Sequence, residues 1–534
     1  MVALNSHQPT NLLTSLTLSH TISLALDQVK LISVLLLSYV FAQVHALLPY
    51  AYTLRASYAL VVGLLLGWFL VGYEMLHLIG TATVAYALLA LLPRRLSVWA
   101  VVGGAFVYLV FVCHLYRMMV AYMIYSLDFT GSQMLLTLKL AALAFNLYDG
   151  RADADDARLD AHQRRYRLAH LPDLLSFYSF VFCYLGFYTG PIVEYRDYVE
   201  FCDGSMFAAL PGRKPTAGRY IAALKAFATA LVAAGVLQTL GQYYPRHFVL
   251  GSEFAAMPLL QRAVIMWIYT VATRMPYYFG WKLSEGSAIV AGLGFSGVDA
   301  ATGDAVYERC NNCNVWQVES AQNVKTVTDG WNLGVDHWLK HYVYARVKQT
   351  KFASFDVTAT LTVSAIWHGL YPGYYLSFLT AALLIQVARL GRRVCRPYFV
   401  TADDKPTPLK PLYDVATFVA HQFVFNYTMV PFVMLSFSDS VYFWNSLAFG
   451  GHVLLVLGYA LFTLAGRLGF GAGKAPRTRT VNVPAPDTPD AKAAPKGTAV
   501  SAGLKHRDTP HPSKTETRAP AASSSPYGLR SKAK

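Results

Sequence analysis

Charge is what this chain has little of. Only 14% of its 534 residues are Asp, Glu, Lys or Arg, against 55% that are hydrophobic, whereas a soluble domain carries about 25% charged residues. So little charge cannot cover a wet surface, which excludes an ordinary soluble enzyme. The six cysteines (Cys113, Cys183, Cys202, Cys310, Cys313 and Cys395) are scattered, which excludes a disulfide framework. The opening "MVALNSHQPTNLLTSLTLSH" lacks a basic start and a small-residue cleavage site, so no signal peptide is read there. Insertion is therefore expected to be led by the first internal hydrophobic helix. No period of about 20–50 residues recurs, so a repeat array is excluded. Phosphate-loop and dinucleotide fingerprints are also missing, and nothing points to ATP or NAD.

What the chain does have is membrane text. Nearly uncharged windows of spanning length lie at 31–48, 57–80, 98–124, 173–190, 221–240, 260–279, 286–300, 357–388, 413–437 and 447–466. They predict an all-α polytopic membrane protein of about ten or eleven transmembrane helices. That membrane domain occupies 25–470, behind a polar N-terminal segment at 1–24. Over 471–534 the composition turns to Pro, Ala, Ser, Thr and basic residues, with twelve Lys/Arg against four Asp/Glu. Such a segment cannot bury enough apolar surface to order itself, so a disordered basic tail is expected. Short basic loops at 92–97, 163–170, 340–351 and 389–397 mark the cytosolic side by the positive-inside rule, and the tail is placed there with them. Basic residues near an anionic lipid surface add about 1 kcal/mol each.

Two polar stretches interrupt the apolar text. "NLYDGRADADDARLDAHQRRYRLAHLPD" (146–173) reads as a solvated loop or surface helix. The second, from Asp299 to about Phe355, contains "CNVWQVESAQNVKTVTDGWNLGVDHWLKHYVYARVKQTKF". Trp331 and Trp338 are seven apart, hence on one helical face, which predicts an amphipathic helix anchored at a membrane interface. Asn332 and Asp336 share another face. A buried Asn amide needs several partners, and a fixed one can donate to a substrate oxygen. Cys310-Asn-Asn-Cys313 has the spacing of half a zinc site but no second half. His337 and His341 are four apart, with no HExxH glutamate and no evident third ligand. No metal site is expected from either pair.

The stretch "SAIWHGLYPGYYLSF" (364–378) puts a histidine inside an apolar run and breaks the helix just beyond it. The residue four after His368 is Pro372, which has no N–H and leaves the His368 carbonyl unpaired. Irregular backbone at membrane depth is tolerated only inside protein or beside a watery cavity, and an ionisable ring there is a functional lead by default. Residues 357–388 are too few for two full spans, so a broken or re-entrant pair hinged at Pro372–Gly373 is expected.

"WNLGVDHWLKHYVYAR" followed by "SAIWHGLYPGYYLSF" resembles the membrane-bound O-acyltransferase family, in particular its lysophospholipid acyltransferase branch. Supporting segments are "FYTGPIVEYRDYVEF" (187–201), "TRMPYYFGWKLSEGSAIVAGLGFSG" (273–297) and "NYTMVPFVMLSFSDSVYFWNSLAFGGH" (426–452). The likeness is clear over about 170–455.

The resemblance implies transfer of an acyl chain from acyl-CoA to the free hydroxyl of a lysophospholipid, in phospholipid remodelling. It makes His368 the general base, with Asn332 orienting substrate or holding the oxyanion. Substrate contacts are expected from Trp331, Trp338, Trp367, Arg274 and Tyr277. Lys340, Arg346, Lys348 and Lys351 are candidates for the CoA phosphates. Acyl-CoA is then a co-substrate, and no cofactor is expected. Direct attack is favoured over an acyl-enzyme, since no Ser or Cys sits in the motif. The partners are acyl-CoA, lysophospholipid and membrane lipid, with no nucleic acid. The ending "RSKAK" resembles a dilysine-type retrieval signal, which places the protein in the endoplasmic reticulum membrane. Acceptors of another kind (sterol, diacylglycerol or protein) stay open within the family. A polytopic transporter, built on midplane ionisable residues and broken helices, is the alternative from another class.

Overall fold

The computed structural model describes residues 25–124, 127–151, 157–401, 403 and 405–471. The N-terminal segment at 1–24 lies outside them, as does the basic tail from 472 onward. Among the described residues the only strands are two-residue pieces, Gly297–Val298 and Ala305–Val306, paired antiparallel as a small hairpin. Everything else that is regular is helical, as composition predicts.

Six helical stretches have the length and apolarity to cross a membrane: Leu26–Leu47, Tyr52–Leu91, Arg94–Val120, Gly218–Tyr243, Pro372–Tyr398 and Gly450–Arg467. Tyr52–Leu91 holds two helices, Tyr52–Val71 and Met75–Leu91, and not every apolar window of the sequence forms a long helix of its own. The window at 173–190 forms only the short helix Leu174–Val181 followed by turns, and its aromatic residues, such as Phe177, Phe180 and Phe182, fill the protein core. The windows at 260–279 and 286–300 merge into one helix, Leu259–Ala291. The buried face of that helix carries Arg274, Lys282 and Glu285 in ion pairs, while Leu259, Leu260, Val264 and Trp267 on it are exposed.

Close packing follows from small residues. Gly218–Tyr243 buries Ala223, Ala226, Ala230 and Ala233, a stripe at helical spacing. It lies along Leu259–Ala291. Without a hydrophobic drive between helices in lipid, small residues that let backbones approach are what favour association.

The helix Thr130–Asp149 is the central post. Leu136, Leu138, Leu140, Ala141 and Leu143 are buried, and so are Gln133, Lys139, Asn146 and Asp149. Its burial on all sides takes Asn146 and Asp149 out of the solvated stretch read at 146–173, whose later residues include the exposed Arg158, Arg164 and His170. Asn146 and Asp149 are each 2% exposed, and His162, on the short helix Ala161–Tyr166, is 5% exposed.

The break around His368 is real but displaced. One helix, Asp356–His368, ends at the histidine, Gly369 turns the chain at φ 129°, and Pro372 is the first residue of the next helix, Pro372–Cys395. The hinge is therefore Gly369 to Tyr371, not Pro372–Gly373. Pro372 starts a helix where a missing N–H costs nothing. Thirteen residues rise only about 20 Å, short of a bilayer core of about 30 Å. The His368 helix thus ends part-way through such a thickness.

Candidate active site

His368 closes its helix within a wall of aromatic rings. The Phe432 ring meets it edge-on with 4.8 Å between centres, Trp367 stands at 4.7 Å, and Tyr374 and Phe378 lie at 5.6 and 5.8 Å. The ring is half-buried. Among the described residues none hydrogen-bonds either imidazole nitrogen, so both stay available to a substrate.

The turn that carries His368 is held from several sides. The Trp367 indole donates to the Met134 carbonyl at 2.9 Å. The Trp367 carbonyl, one of the orphans at a helix C-terminus, takes the His114 Nε2 at 3.0 Å. The Gly373 amide donates to the Leu435 carbonyl at 2.7 Å. A Cβ on Gly373 would stand 2.1 Å from the Pro431 carbonyl oxygen, so only glycine allows this approach. The segment 426–452 thus contributes Phe432 beside the ring and Leu435 beneath the turn.

Asn332 does not lie within an amphipathic helix. It is the N-cap of Leu333–Leu339, in the left-handed region at φ 47°, ψ 52°. Trp331 precedes the helix and pairs by its backbone with Cys313. The two tryptophans therefore do not share a helical face. Trp331 packs on Tyr277, Tyr278 and Trp281. Trp338 is 3% exposed and its indole donates to the Leu138 carbonyl at 2.9 Å. It is a core residue, not an interfacial anchor.

Asn312 fixes the Asn332 side chain. Its amide nitrogen donates to Asn332 Oδ1 at 3.1 Å, and its own Oδ1 accepts the Gly334 amide at 3.0 Å. With its oxygen taken, Asn332 keeps its NH₂ as the group to offer. The two motifs meet on the central post: Trp338 and Trp367 donate to carbonyls of Leu138 and Met134, one helical turn apart. The Asn332 and His368 segments are hung from the same helix.

Other candidates from the sequence are committed within the protein. Arg274 is 8% exposed; its Nε and Nη2 grip both Glu319 oxygens at 2.8 and 2.6 Å, and its Nη1 donates to Asn426 Oδ1 at 2.8 Å. Arg346 clasps Asp149 in the same bidentate way, at 3.1 and 2.6 Å. In both arginines the fork is occupied by a carboxylate, so the expected substrate or phosphate contact is replaced by a structural one. Tyr277 is exposed, with its ring against Trp281 and Trp331. Lys340 is exposed as well.

His337 and His341 are not a bare wet face either. His162 stacks on His341 with 3.8 Å between ring centres and 8° between planes, and lies 5.0 Å from His337. Burial, together with the neighbouring imidazoles and cations, pushes the half-buried His341 imidazole down to about 2. The buried Cys313 thiol is raised to about 12 and stays protonated.

His114 and Asn312 were not singled out from the sequence. A signal for His114 existed, since the rule that marks an ionisable ring at membrane depth applies to it as it does to His368. Asn312 sits inside the Cys310–Cys313 spacing, read there only for its sulfurs. Nothing in the residue order ties it to Asn332, twenty positions on.

Comparison with known proteins gives the family. Residues 114–430 match the family model described as "MBOAT, membrane-bound O-acyltransferase family". The chain belongs to the membrane-bound O-acyltransferase family. The match begins at His114 and takes in Asn332 and His368.

Among full-length relatives, the chain is 32% identical over 450 residues to a lysophospholipid acyltransferase of Schizosaccharomyces pombe, covering 82% of this chain and 86% of the relative. It is also 32% identical over 464 residues to the membrane-bound glycerophospholipid O-acyltransferase 2 of Mus musculus, covering 82% and 85%. A lysophospholipid acyltransferase of Saccharomyces cerevisiae is 34% identical over 355 residues, covering 63% of this chain and 57% of the relative.

Proposed function

We propose that this protein is a lysophospholipid acyltransferase in which His368 is the general base and the Asn332 amide holds the developing oxyanion. The observation that carries the reading is the free imidazole. His368 is half-buried among four aromatic rings, yet among the described residues no group occupies its nitrogens, while the oxygen of Asn332 is occupied by Asn312.

The reaction runs in a ternary complex. Neutral imidazole takes the proton of the lysophospholipid hydroxyl as its oxygen attacks the thioester carbonyl of acyl-CoA. The new C–O bond gives a tetrahedral oxyanion, to which the Asn332 NH₂ donates. Its collapse breaks the C–S bond, and the departing thiolate recovers the proton from the imidazolium. General-base catalysis contributes about 10²–10⁴-fold and one oxyanion donor about 10²–10³-fold. The aromatic wall excludes water that would otherwise hydrolyse the thioester. The protein acts in the endoplasmic reticulum membrane, with its tail in the cytosol.

The test is thiol release from oleoyl- or arachidonoyl-CoA by membranes holding this protein, with lysophospholipids of each headgroup offered in parallel and His368→Ala beside the wild type. Release that depends on one headgroup and is lost in the variant supports the reading. If no lysolipid stimulates release, the acceptor is of another class, with sterol and diacylglycerol next. Full activity in His368→Ala refutes the base assignment.

A further inference from the structure

The three histidines 162, 337 and 341 form a cluster that the acyl-transfer reading does not use. His337 lies on Leu333–Leu339, the helix that Asn332 caps, His341 on the helical segment Lys340–Tyr344 that continues it, and His162 approaches from Ala161–Tyr166, whose start is fixed by a reciprocal capping box between Asp160 and Gln163. Each ring offers one nitrogen, and the three nitrogens lie within 4.8 Å of one another. His162 is 5% exposed, and its Nε2 makes no hydrogen bond.

Behind His162 stands Glu194, whose carboxylate is at an ion-pair distance of 3.4 Å from that Nε2, which leaves Nδ1 as the nitrogen of His162 to face an ion. The carboxylate is itself fixed by the Tyr342 hydroxyl at 2.9 Å and the Asn146 amide at 3.1 Å. A carboxylate braced behind a ligating imidazole is the usual outer support of a histidine metal site.

We propose that His162, His337 and His341 bind a divalent transition-metal ion of the zinc class, with Glu194 as the outer carboxylate of His162. Three imidazoles leave a fourth tetrahedral position for water, on the side where His337 is exposed. A tetrahedral ion with bonds of about 2.0–2.1 Å separates its ligand nitrogens by about 3.3 Å. The present spacing closes to that by movements on the order of 1 Å.

One change is required. His162 and His341 now stack face to face, and parallel planes 3.8 Å apart cannot both point at one ion, so loading turns His341 out of the stack. The charges around the site are Glu194, Lys340 and Arg346, the last neutralised by Asp149. An ion here ties the Ala161–Tyr166 helix to Leu333–Leu339, whose N-cap is Asn332. The site is a brace for that helix and takes no part in the proton transfer. The inference does not depend on which acceptor the enzyme uses.

The test uses the full chain without a polyhistidine tag, purified in detergent, stripped with chelator and titrated with Co²⁺. About one equivalent should give the visible ligand-field bands of a tetrahedral site, and Zn²⁺ should displace it. His337→Ala removes an exposed ring. His162→Phe removes a ligand but keeps a ring for His341 to stack on. Each should weaken binding by at least about 10-fold, the lower end of what even outer-support changes do. If the wild type shows no such bands, or if both soluble, monodisperse variants bind Co²⁺ as the wild type does, the proposal is wrong.

Discussion

His114→Ala is the substitution that most directly tests how His368, the proposed base, is held. His114 is 6% exposed, and its Nε2 donates to the Trp367 carbonyl at 3.0 Å. That carbonyl belongs to the last turn of Asp356–His368, on the residue beside the proposed base, so losing the donor leaves it buried and unpaired. An unsatisfied buried group costs about 1–3 kcal/mol. If all of that cost falls on the position of His368, the rate drops about 5- to 150-fold, at 1.36 kcal/mol per decade. The size agrees with the 10²-fold penalty that about 1 Å of misplacement can impose on a catalytic group.

Because His114 lies behind the turn, kcat should fall while KM for both substrates stays within about twofold. His114→Gln, which can still present an N–H, should recover most of the loss. The assay is initial-rate thiol release over a matrix of acyl-CoA and lysophospholipid concentrations. An unchanged kcat in His114→Ala sinks the argument. So would a Gln variant no better than Ala with equal amounts of folded protein, because the effect would then come from the ring and not from its donor.

Other outcomes follow from the same geometry. Gly369→Ala should reduce activity severely, because φ is 129° there and the new Cβ would lie 3.2 Å from His114 Nδ1; wild-type rates would show that the turn is softer than argued. Asn312→Ala frees the Asn332 oxygen and should lower kcat by about tenfold, less than the 10²–10³-fold of losing the donor in Asn332→Ala, and equal losses would contradict the division of roles. Arg274→Met leaves Glu319 without its bidentate partner and should cost about 3–5 kcal/mol of stability, read as a lower unfolding temperature in detergent; Arg274→Met with Glu319→Leu should regain part of it.

Asp299 caps the loop of the small hairpin by accepting the Ala301 and Thr302 amides, bonds that hold its carboxyl below the usual value. A depressed folded pKa gives stability that is complete above the ordinary value of about 3.9 and is lost as pH falls through the lower folded value. Hydrogen exchange at Ala301 and Thr302 should speed up only below about pH 4, relative to the intrinsic rate, and Asp299→Asn should remove that step.

Much of this protein is legible in its residue order alone. Scarcity of charge and the lengths of its apolar runs announce a polytopic helical membrane protein, because a bilayer tolerates little else. A helix break near His368 follows from Pro372 alone, and the ordered motifs mark His368 and Asn332. What composition and spacing report, however, is the local chain, three or four residues at a time.

The partners of the buried polar groups are far off in sequence. His114 meets Trp367 across 253 residues, Tyr342 meets Asn146 across 196, and Arg346 meets Asp149 across 197. Only packing brings them together, so Asn146, Asp149 and His162 of a charged stretch joined a buried network while other residues of that stretch stayed exposed, and two tryptophans that looked like lipid anchors turned out to be Trp338, a strut on Thr130–Asp149, and Trp331, packed among Tyr277, Tyr278 and Trp281. Asn332 shows the same division at one residue. Its place in the ordered motifs was legible, but its left-handed backbone and the bond from Asn312, twenty residues away, that occupies its oxygen are set by the fold. Chain order states which groups can react; the tertiary structure decides which of their atoms are left free to do so.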